Sequence, residues 1–263
     1  MLLQALLPLK FYNMNKDHNV VIISGATGYL GSAIAKRMAA DGMRVAVLYK
    51  NASEDVAQTS IASLEGTGHA AYRCDLSNKE EITQTLERII AQQGMVGACV
   101  HVAWTKPIRK QLTKCSVEEA VMQSNENIPM SLNFLSTCAD IFRKQEKGII
   151  IGITTAGVVR EGAAGNLGGY IVAKNALQGI LSAYKEELKN SGVRVYSVAP
   201  DFMEGGMNAD IPRAFVEMIK EKSVTKMLVT PEDVAAKISF LCSEEGKGET
   251  NLTFLISPGN DTQ

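Results

Sequence analysis

The sequence has no excess of charge of either sign, few cysteines and few histidines. Its 263 residues include 27 basic and 28 acidic side chains, a formal net charge of -1, so the overall charge gives no reason to expect a nucleic acid or an anionic membrane as a partner. The five cysteines are odd in number and form no Cys-x-x-Cys pair, and the three histidines are scattered. We therefore expect no disulfide framework and no metal site, and we predict a reducing, cytoplasmic location.

Long apolar runs are also missing. The stretch LLQALLPL at residues 2–9 is too short to span a bilayer, and it lacks the flanking residues of a secretory signal. The globular pattern begins at Val20, so we expect residues 1–19 to form a mobile tail, whose first thirteen residues could instead be an over-long start assignment. Hydrophobic residues make up 46% of the chain, enough for a large core, and no repeat or linker divides residues 20–263. We predict a single domain there.

Short apolar runs alternate with amphipathic stretches along the chain. The predicted strands are 20–24, 44–49, 69–73, 96–103, 148–154, 193–199 and 252–256, and the predicted helices are 29–41, 53–64, 78–92, 116–145, 170–190 and 231–242. This alternation predicts an α/β fold, a doubly wound parallel sheet of about seven strands with helices on both faces. The segment 201–229 is rich in glycine and methionine and only partly helical in pattern, which is typical of a substrate lid.

Capping residues mark several helix starts. Ser77 with Glu80 and Ser116 with Glu119 have the spacing of capping boxes. Thr230 precedes a proline at the first position of the last predicted helix, where a proline is well tolerated. These signals fix three of the predicted helix starts more firmly than periodicity does.

A glycine-rich turn follows the first predicted strand. The strand runs into Gly25-Ala-Thr27-Gly28-Tyr29-Leu30-Gly31 and then into a helix. In this context the first glycine permits a tight turn, the second lets backbone N–H groups approach a pyrophosphate, and the third allows close packing of helix on strand. The helix N-terminus adds positive potential for the phosphates. We therefore predict a dinucleotide site formed by this turn, rather than a glycine turn without a ligand.

The ends of the second and third predicted strands bear on the choice of cofactor. An NAD enzyme usually has an acidic residue after the second strand, whereas this chain has Tyr49 and then Lys50, whose charge suits a 2′-phosphate. We predict that NADP(H) is preferred over NAD(H), with a solvated Lys50 as the alternative. Asp75, after the third strand, is either an acceptor for the adenine amino group or a helix-entry aspartate, and the sequence leaves both open.

Tyr170 and Lys174 stand at the start of the helix that follows the fifth predicted strand. Their spacing of four residues places both side chains on one helical face. A lysine there lowers the pKa of a neighbouring phenol from about 10, so that the phenol can exchange a proton with a substrate oxygen. Tyr-x-x-x-Lys is common in helices, but at this point in a nucleotide-binding β-α series it indicates a catalytic pair.

With these motifs the chain resembles the short-chain dehydrogenase/reductase family from residue 20 to about 259. The matching pieces are GATGYLG, CDL, Tyr170 to Lys174, VRVYSVAP ending at Pro200, and TPEDVAAKISFL. The resemblance implies hydride transfer between a nicotinamide and a carbonyl or alcohol, with Tyr170 as the acid/base and Lys174 also binding the ribose. It adds Leu76, Ala103 and Pro200 to the expected cofactor contacts, and it suggests a homodimer or homotetramer packed through the helices 116–145 and 170–190.

The resemblance also implies an asparagine on the fourth helix that completes a proton relay. Counting back from Gly148, Asn127 falls at this position, with Asn125 as a weaker rival and a structural asparagine as the alternative. Pro129 removes a helical N–H nearby and would help to free a carbonyl for water.

A hydroxyl residue at the end of the fifth strand is expected to hold the substrate oxygen. Thr154 lies three residues before Gly157, where the family usually has serine, and Thr155 is its neighbour. We predict that Thr154 has this role.

Two stretches depart from the family pattern. The frequent Asn-Asn-Ala-Gly after strand four is here His101-Val102-Ala103-Trp104, and the usual Pro-Gly after strand six is Pro200-Asp201. We expect His101 to be a packed strand-end residue rather than a catalytic one. The sequence as a whole predicts a ketoreductase-like enzyme, by analogy of the 3-oxoacyl type, acting on a small-molecule carbonyl or alcohol. The departures keep open a low-turnover NADP(H)-binding regulator, and a dehydratase or epimerase that retains its cofactor is a further alternative.

Overall fold

The computed structural model describes residues 20–160 and 165–258. The predicted tail, residues 1–19, and part of the loop between the fifth strand and Tyr170 lie outside the described residues. The described residues form seven strands: β1 Val20–Ser24, β2 Arg44–Tyr49, β3 Ala70–Arg73, β4 Val96–His101, β5 Gly148–Ile153, β6 Val193–Pro200 and β7 Thr253–Ile256. Within the described residues the α-helices are α1 Tyr29–Ala40, α2 Glu54–Ala62, α3 Lys79–Gln93, α4 Val117–Gln145, α5 Gly168–Glu187, α6 Arg213–Lys222 and α7 Pro231–Cys242.

All seven strands form one parallel sheet in the order β3-β2-β1-β4-β5-β6-β7. This confirms the doubly wound α/β fold. The order reverses between β1 and β4, and such a switch point opens a crevice at the carboxyl ends of the strands where ligands bind. None of the described helices is long and apolar enough to cross a membrane.

Side chains of each strand alternate between two separate cores. In β1, Val21 and Ile23 pack with α1 and α7 on one face, whereas Val20 and Ile22 pack with α3, α4 and α5 on the other. Successive residues of a strand point to opposite faces, so a sheet covered on both sides needs continuous apolar strands. This explains why the strands read as unbroken β-branched runs rather than as alternating patterns.

Two local predictions need correction. The N-cap of α3 is Asn78, whose side chain accepts hydrogen bonds from Glu80 N–H and Glu81 N–H, so the predicted capping box at Ser77 is wrong. The segment 201–229 contains a further helix, α6, that the pattern did not separate. The box at Ser116 and the cap at Thr230 are both present as predicted.

Candidate active site

One large cavity opens at the carboxyl ends of the strands and has a volume of about 1200 Å³. Its walls come from the glycine turn, the residues that follow β2, β3 and β4, the end of β5, the first turns of α5, and the segment from Pro200 to Ile219. The predicted cofactor contacts that line it are Gly25, Thr27, Gly28, Tyr29, Leu30, Gly31, Lys50, Leu76, Ala103, Tyr170, Lys174 and Pro200.

The glycine turn has the shape that a pyrophosphate site requires. Gly25 has a φ of +67°, and a Cβ there would lie 2.9 Å from the Cα of Ala103; a Cβ on Gly31 would lie 2.2 Å from the Gly25 carbonyl oxygen. α1 begins directly after Gly28, which provides no side-chain cap for the first N–H groups of the helix. These uncapped donors line the cavity, so the residues present fit the phosphates of a dinucleotide.

Lys50 and Asp75 contact each other. The Lys50 Nζ lies 2.8 Å from a carboxylate oxygen of Asp75, and their side chains are 52% and 33% exposed. Asp75 also accepts a hydrogen bond from Ser77 N–H and, unlike Lys50, is not among the described residues that line the cavity. The geometry therefore favours the helix-entry interpretation of Asp75, and it leaves Lys50 at the cavity wall with one partner already in place.

Tyr170 and Lys174 lie on one face of α5 and both line the cavity. Lys174 is only 3% exposed; its Nζ donates to the Ile153 carbonyl at 2.7 Å and lies 3.6 Å from the ring centroid of Trp104. Burial holds the pKa of Lys174 well below its usual value. The Lys174 Nζ is 5.7 Å from the Tyr170 ring centroid, so the predicted pair is assembled.

A charge other than that of Lys174 acts on the Tyr170 phenol. Removal of the phenol from water raises the pKa of Tyr170 to about 12, while a hydrogen bond with the Thr155 side chain and the positive charge of Arg109 lower it. The groups that lower this pKa are thus Thr155 and Arg109. The effect expected of Lys174 on the phenol stays a prediction.

The two threonines after β5 face different partners. Thr154 is 2% exposed, and its hydroxyl lies 2.8 Å from the Ser197 hydroxyl on β6 and 3.4 Å from the Val198 carbonyl. The Thr155 hydroxyl is close enough to the Tyr170 phenol to lower its pKa. Both threonines line the cavity, and adjacent residues of an extended chain point in opposite directions, so the role predicted for Thr154 stays a prediction, with Thr155 as its rival.

Asn127 and Asn125, both on α4, lie in different surroundings. Asn127 is fully buried; its side chain accepts from Thr105 N–H at 2.9 Å and donates to the Thr105 hydroxyl, and its carbonyl accepts from the Ser131 hydroxyl at 2.7 Å. Asn125, the rival, lines the cavity. Pro129 lacks an N–H, and the carbonyl it leaves without an i+4 donor is that of Asn125. The structure thus gives Asn127 structural hydrogen bonds and places Asn125 at the cavity wall, and the proton-relay role expected of Asn127 stays a prediction.

His101 lies behind the cavity rather than in its wall. It is 1% exposed, and its ring nitrogens lie 2.9 Å from the hydroxyls of Ser24 and Ser131. Burial, with a smaller contribution from the charge of Lys174, lowers the pKa of His101 to about 3, so the ring is neutral. This is the packed strand-end histidine that the sequence predicts.

Arg109 and Trp104 are the site residues that sequence reasoning missed. Both follow β4 and line the cavity beside Tyr170; the rings of Trp104 and Tyr170 pack edge to face with centroids 6.4 Å apart. Asp201, the other departure from the family pattern, forms an ion pair with Arg160 at 2.6 Å. Trp104 was visible as the sole tryptophan, directly after a strand end, whereas no signal in the sequence points to Arg109.

Comparisons with known proteins agree with this architecture. A family model described as enoyl-(acyl carrier protein) reductase matches residues 25–259. Dehydrogenase/reductase SDR family member 4 of Sus scrofa is 26% identical over 247 residues, covering 92% of this chain and 87% of the relative. The 3-oxoacyl-[acyl-carrier-protein] reductase FabG of Staphylococcus epidermidis is 25% identical over 251 residues, covering 94% and 99%. The solved structure of an NAD+-bound xylitol dehydrogenase shares the fold, with a TM-score of 0.82 at 18% identity over 93% of this chain and 100% of the other.

Proposed function

The chain belongs to the short-chain dehydrogenase/reductase family of oxidoreductases, which bind a nicotinamide cofactor, and from this premise we propose that it is an NADP(H)-dependent reductase of a small-molecule carbonyl. The observation that carries the proposal is that Tyr170, Thr155 and Lys174 line the same cavity as the glycine turn. A proton donor, Tyr170, is therefore placed beside the expected position of the nicotinamide of a bound dinucleotide.

The residues around Tyr170 have separate tasks in the reaction. When bound, the reduced nicotinamide supplies the hydride. Tyr170 donates its proton to the carbonyl oxygen; its raised pKa keeps the phenol protonated at neutral pH, as an acid in the reductive direction requires. Thr155 holds the same oxygen through its hydroxyl, and Arg109 limits the rise in the Tyr170 pKa. Lys174 anchors the ribose once its ammonium leaves the Ile153 carbonyl.

The preference for NADP(H) is supported by the end of β2. Lys50 lines the cavity there. The carboxylate of Asp75 forms an ion pair with Lys50 and does not line the cavity. Glu54, the other nearby acid, accepts a hydrogen bond from the Tyr49 hydroxyl. Neither acid is placed to receive ribose hydroxyls, so the arrangement favours the phosphorylated cofactor.

One observation favours a second function, that of a low-turnover NADP(H)-binding regulator. Trp104 covers the Lys174 ammonium at 3.6 Å, and the lysine is almost fully buried. A lysine held in this way would be slow to reach a ribose.

Steady-state consumption of NADPH with a panel of ketones separates the two functions. Sustained turnover, lost in Tyr170→Phe, supports the reductase. Cofactor binding without turnover of any ketone in the panel would refute it and leave the regulator.

A further inference from the structure

Two hydrogen-bond donors in the cavity wall have no partner. The Nε of Arg109 and the indole Nε1 of Trp104 are buried and make no hydrogen bond within the described part of the chain. A buried donor without an acceptor is costly, so such groups are rare unless an ordered water or a ligand satisfies them. Both side chains line the cavity, so a small shift of either side chain would bring its donor to an acceptor bound there.

Arg109 is held in place but is not neutralised. Its Nη2 donates to the Met207 carbonyl at 3.1 Å and to the Asn208 side-chain oxygen at 2.6 Å. Neither acceptor is ionised, and Asp210, an acid whose pKa Arg109 also lowers, forms its ion pair with Lys106 at 2.9 Å. The guanidinium therefore keeps a full positive charge, with its orientation fixed by the lid segment 201–229. A fixed, planar, charged donor is the group that proteins use to bind carboxylates.

The two donors flank the reacting group. The charge of Arg109 acts on the Tyr170 phenol, and the Trp104 ring packs edge to face on the Tyr170 ring. An acceptor bound by them would lie beside the carbonyl that Tyr170 protonates.

We propose that Arg109, with Trp104 as a second donor, binds a carboxylate of the substrate, so that the substrate is an oxo acid whose carboxylate lies a few bonds from its carbonyl. This inference rests on the proposed function, because it assigns the substrate class of the same site. A neutral ketone or a carrier-bound thioester would leave the Arg109 charge without a counterion.

The test compares matched acids and esters. The value of kcat/KM is measured for 3-oxobutanoate and 4-oxopentanoate and for their methyl esters, in the wild type and in Arg109→Gln. Differences in intrinsic reactivity cancel when the acid-to-ester ratio is compared between proteins. We expect Arg109→Gln to lower this ratio by about 10–100-fold, the range for a lost hydrogen bond to a charged group.

Two control variants separate charge from lid geometry. Lys106→Gln removes a cation of the same loop, and Asn208→Ala removes the side chain that tethers Arg109 to the lid segment. We expect Lys106→Gln to leave the acid-to-ester ratio within about threefold of the wild type. We expect Asn208→Ala to change kcat/KM for the acid and for the ester by more similar factors. An unchanged ratio in Arg109→Gln, or an equal fall in Lys106→Gln, overturns the proposal.

Binding gives a readout that does not depend on turnover. Trp104 is the only tryptophan of the chain, so its fluorescence reports on this wall of the cavity. With NADP+ present, which cannot reduce an oxo acid, 4-oxopentanoate should change this fluorescence in the wild type and not in Arg109→Gln, while the methyl ester should have little effect.

The same measurements distinguish this inference from the proposed function. Reduction of the esters with no preference for the acids refutes the carboxylate site and leaves the reductase standing. An Arg109-dependent fluorescence response to the acid without any turnover supports the site and refutes the reductase. Absence of both turnover and response refutes both.

Discussion

The assignment of the substrate-holding hydroxyl to Thr155 gives a prediction in which two neighbouring residues should behave in opposite ways. The Thr155 hydroxyl lowers the pKa of the Tyr170 phenol, and a donor directed at the oxygen on which charge develops is worth about 10²–10³ in turnover. Thr155→Ala should therefore lower kcat by about that factor. Thr155→Ser keeps the hydroxyl and should retain most of the activity.

Thr154→Ala should act on stability instead. It removes the hydrogen bond to Ser197, but Ser197 keeps its bond of 2.6 Å to the Gln178 side chain, so no buried hydroxyl is left without a partner. We expect the free energy of unfolding to fall by ~1 kcal/mol, the usual value of one such bond. The turnover of the folded protein should stay within about threefold of the wild type.

The assay measures kcat with one ketone at saturating NADPH, and urea unfolding of the same preparations. Loss of turnover in Thr154→Ala together with normal turnover in Thr155→Ala would refute this assignment. It would show that Thr154, the residue selected by counting from Gly148, holds the substrate oxygen, and that Thr155 has no part in turnover.

Three further predictions follow from the site and from the long helices. Tyr170→Phe removes the proton donor while keeping the ring, so kcat should fall at least about 10²-fold with NADPH binding retained; near-normal kcat would refute the mechanism. Lys50 should favour NADPH over NADH by ~1 kcal/mol, a modest value because Lys50 is half exposed and already paired with Asp75, and Lys50→Gln should remove the difference in a Trp104 fluorescence titration. The apolar side chains of Val117, Val121 and Met122 on α4 and of Val172 on α5 are at least 40% exposed, so we expect association of the chain through these helices, and light scattering that shows a monomer at micromolar concentration would contradict it.

The sequence predicted the sheet well because the signal there is local. The bounds of β1 and β2 match the predicted ranges, and both strands are continuous apolar runs bounded by turns. The glycine turn was equally clear, because strand, turn and helix follow one another directly. α6 was missed because the lid segment that contains it also carries glycines and methionines that obscure the helical period.

The details of the site were less accessible because they depend on side-chain direction and on contacts between distant residues. Counting residues from Gly148 could not show whether Thr154 or Thr155 faces the phenol. The direction of the Thr154 hydroxyl depends on its hydrogen bond with the Ser197 hydroxyl, which lies on the neighbouring strand. Arg109 becomes a site residue only through its contact with Asn208, 99 positions away. Lys50 was predicted to bind the cofactor and Asp75 was one of two open possibilities, whereas the fold brings the two side chains into contact with each other.

Two unusual positions, His101 at the end of β4 and Trp104 after it, are explained by one series of hydrogen bonds. The Ser24 hydroxyl oxygen accepts the N–H groups of Val102 and Ala103, at 3.1 and 3.2 Å, so its own proton goes to the His101 Nδ1. Because His101 is neutral, its remaining proton is on Nε2, which donates to the Ser131 hydroxyl.

The Ser131 hydroxyl in turn donates to the Asn127 carbonyl. Every group in this series of hydrogen bonds therefore has a partner, and the donor and the acceptor of each bond are fixed. A second proton on His101 would place two donors against each other at Ser24, which agrees with the low pKa of the histidine. This series of hydrogen bonds fixes the backbone at Val102 and Ala103, directly before Trp104, and so it determines where the indole ring meets Lys174 and Tyr170. The histidine is therefore part of the support for Trp104, and the departure from the family pattern at residues 101–104 is a single structural unit that shapes the cavity wall beside Tyr170.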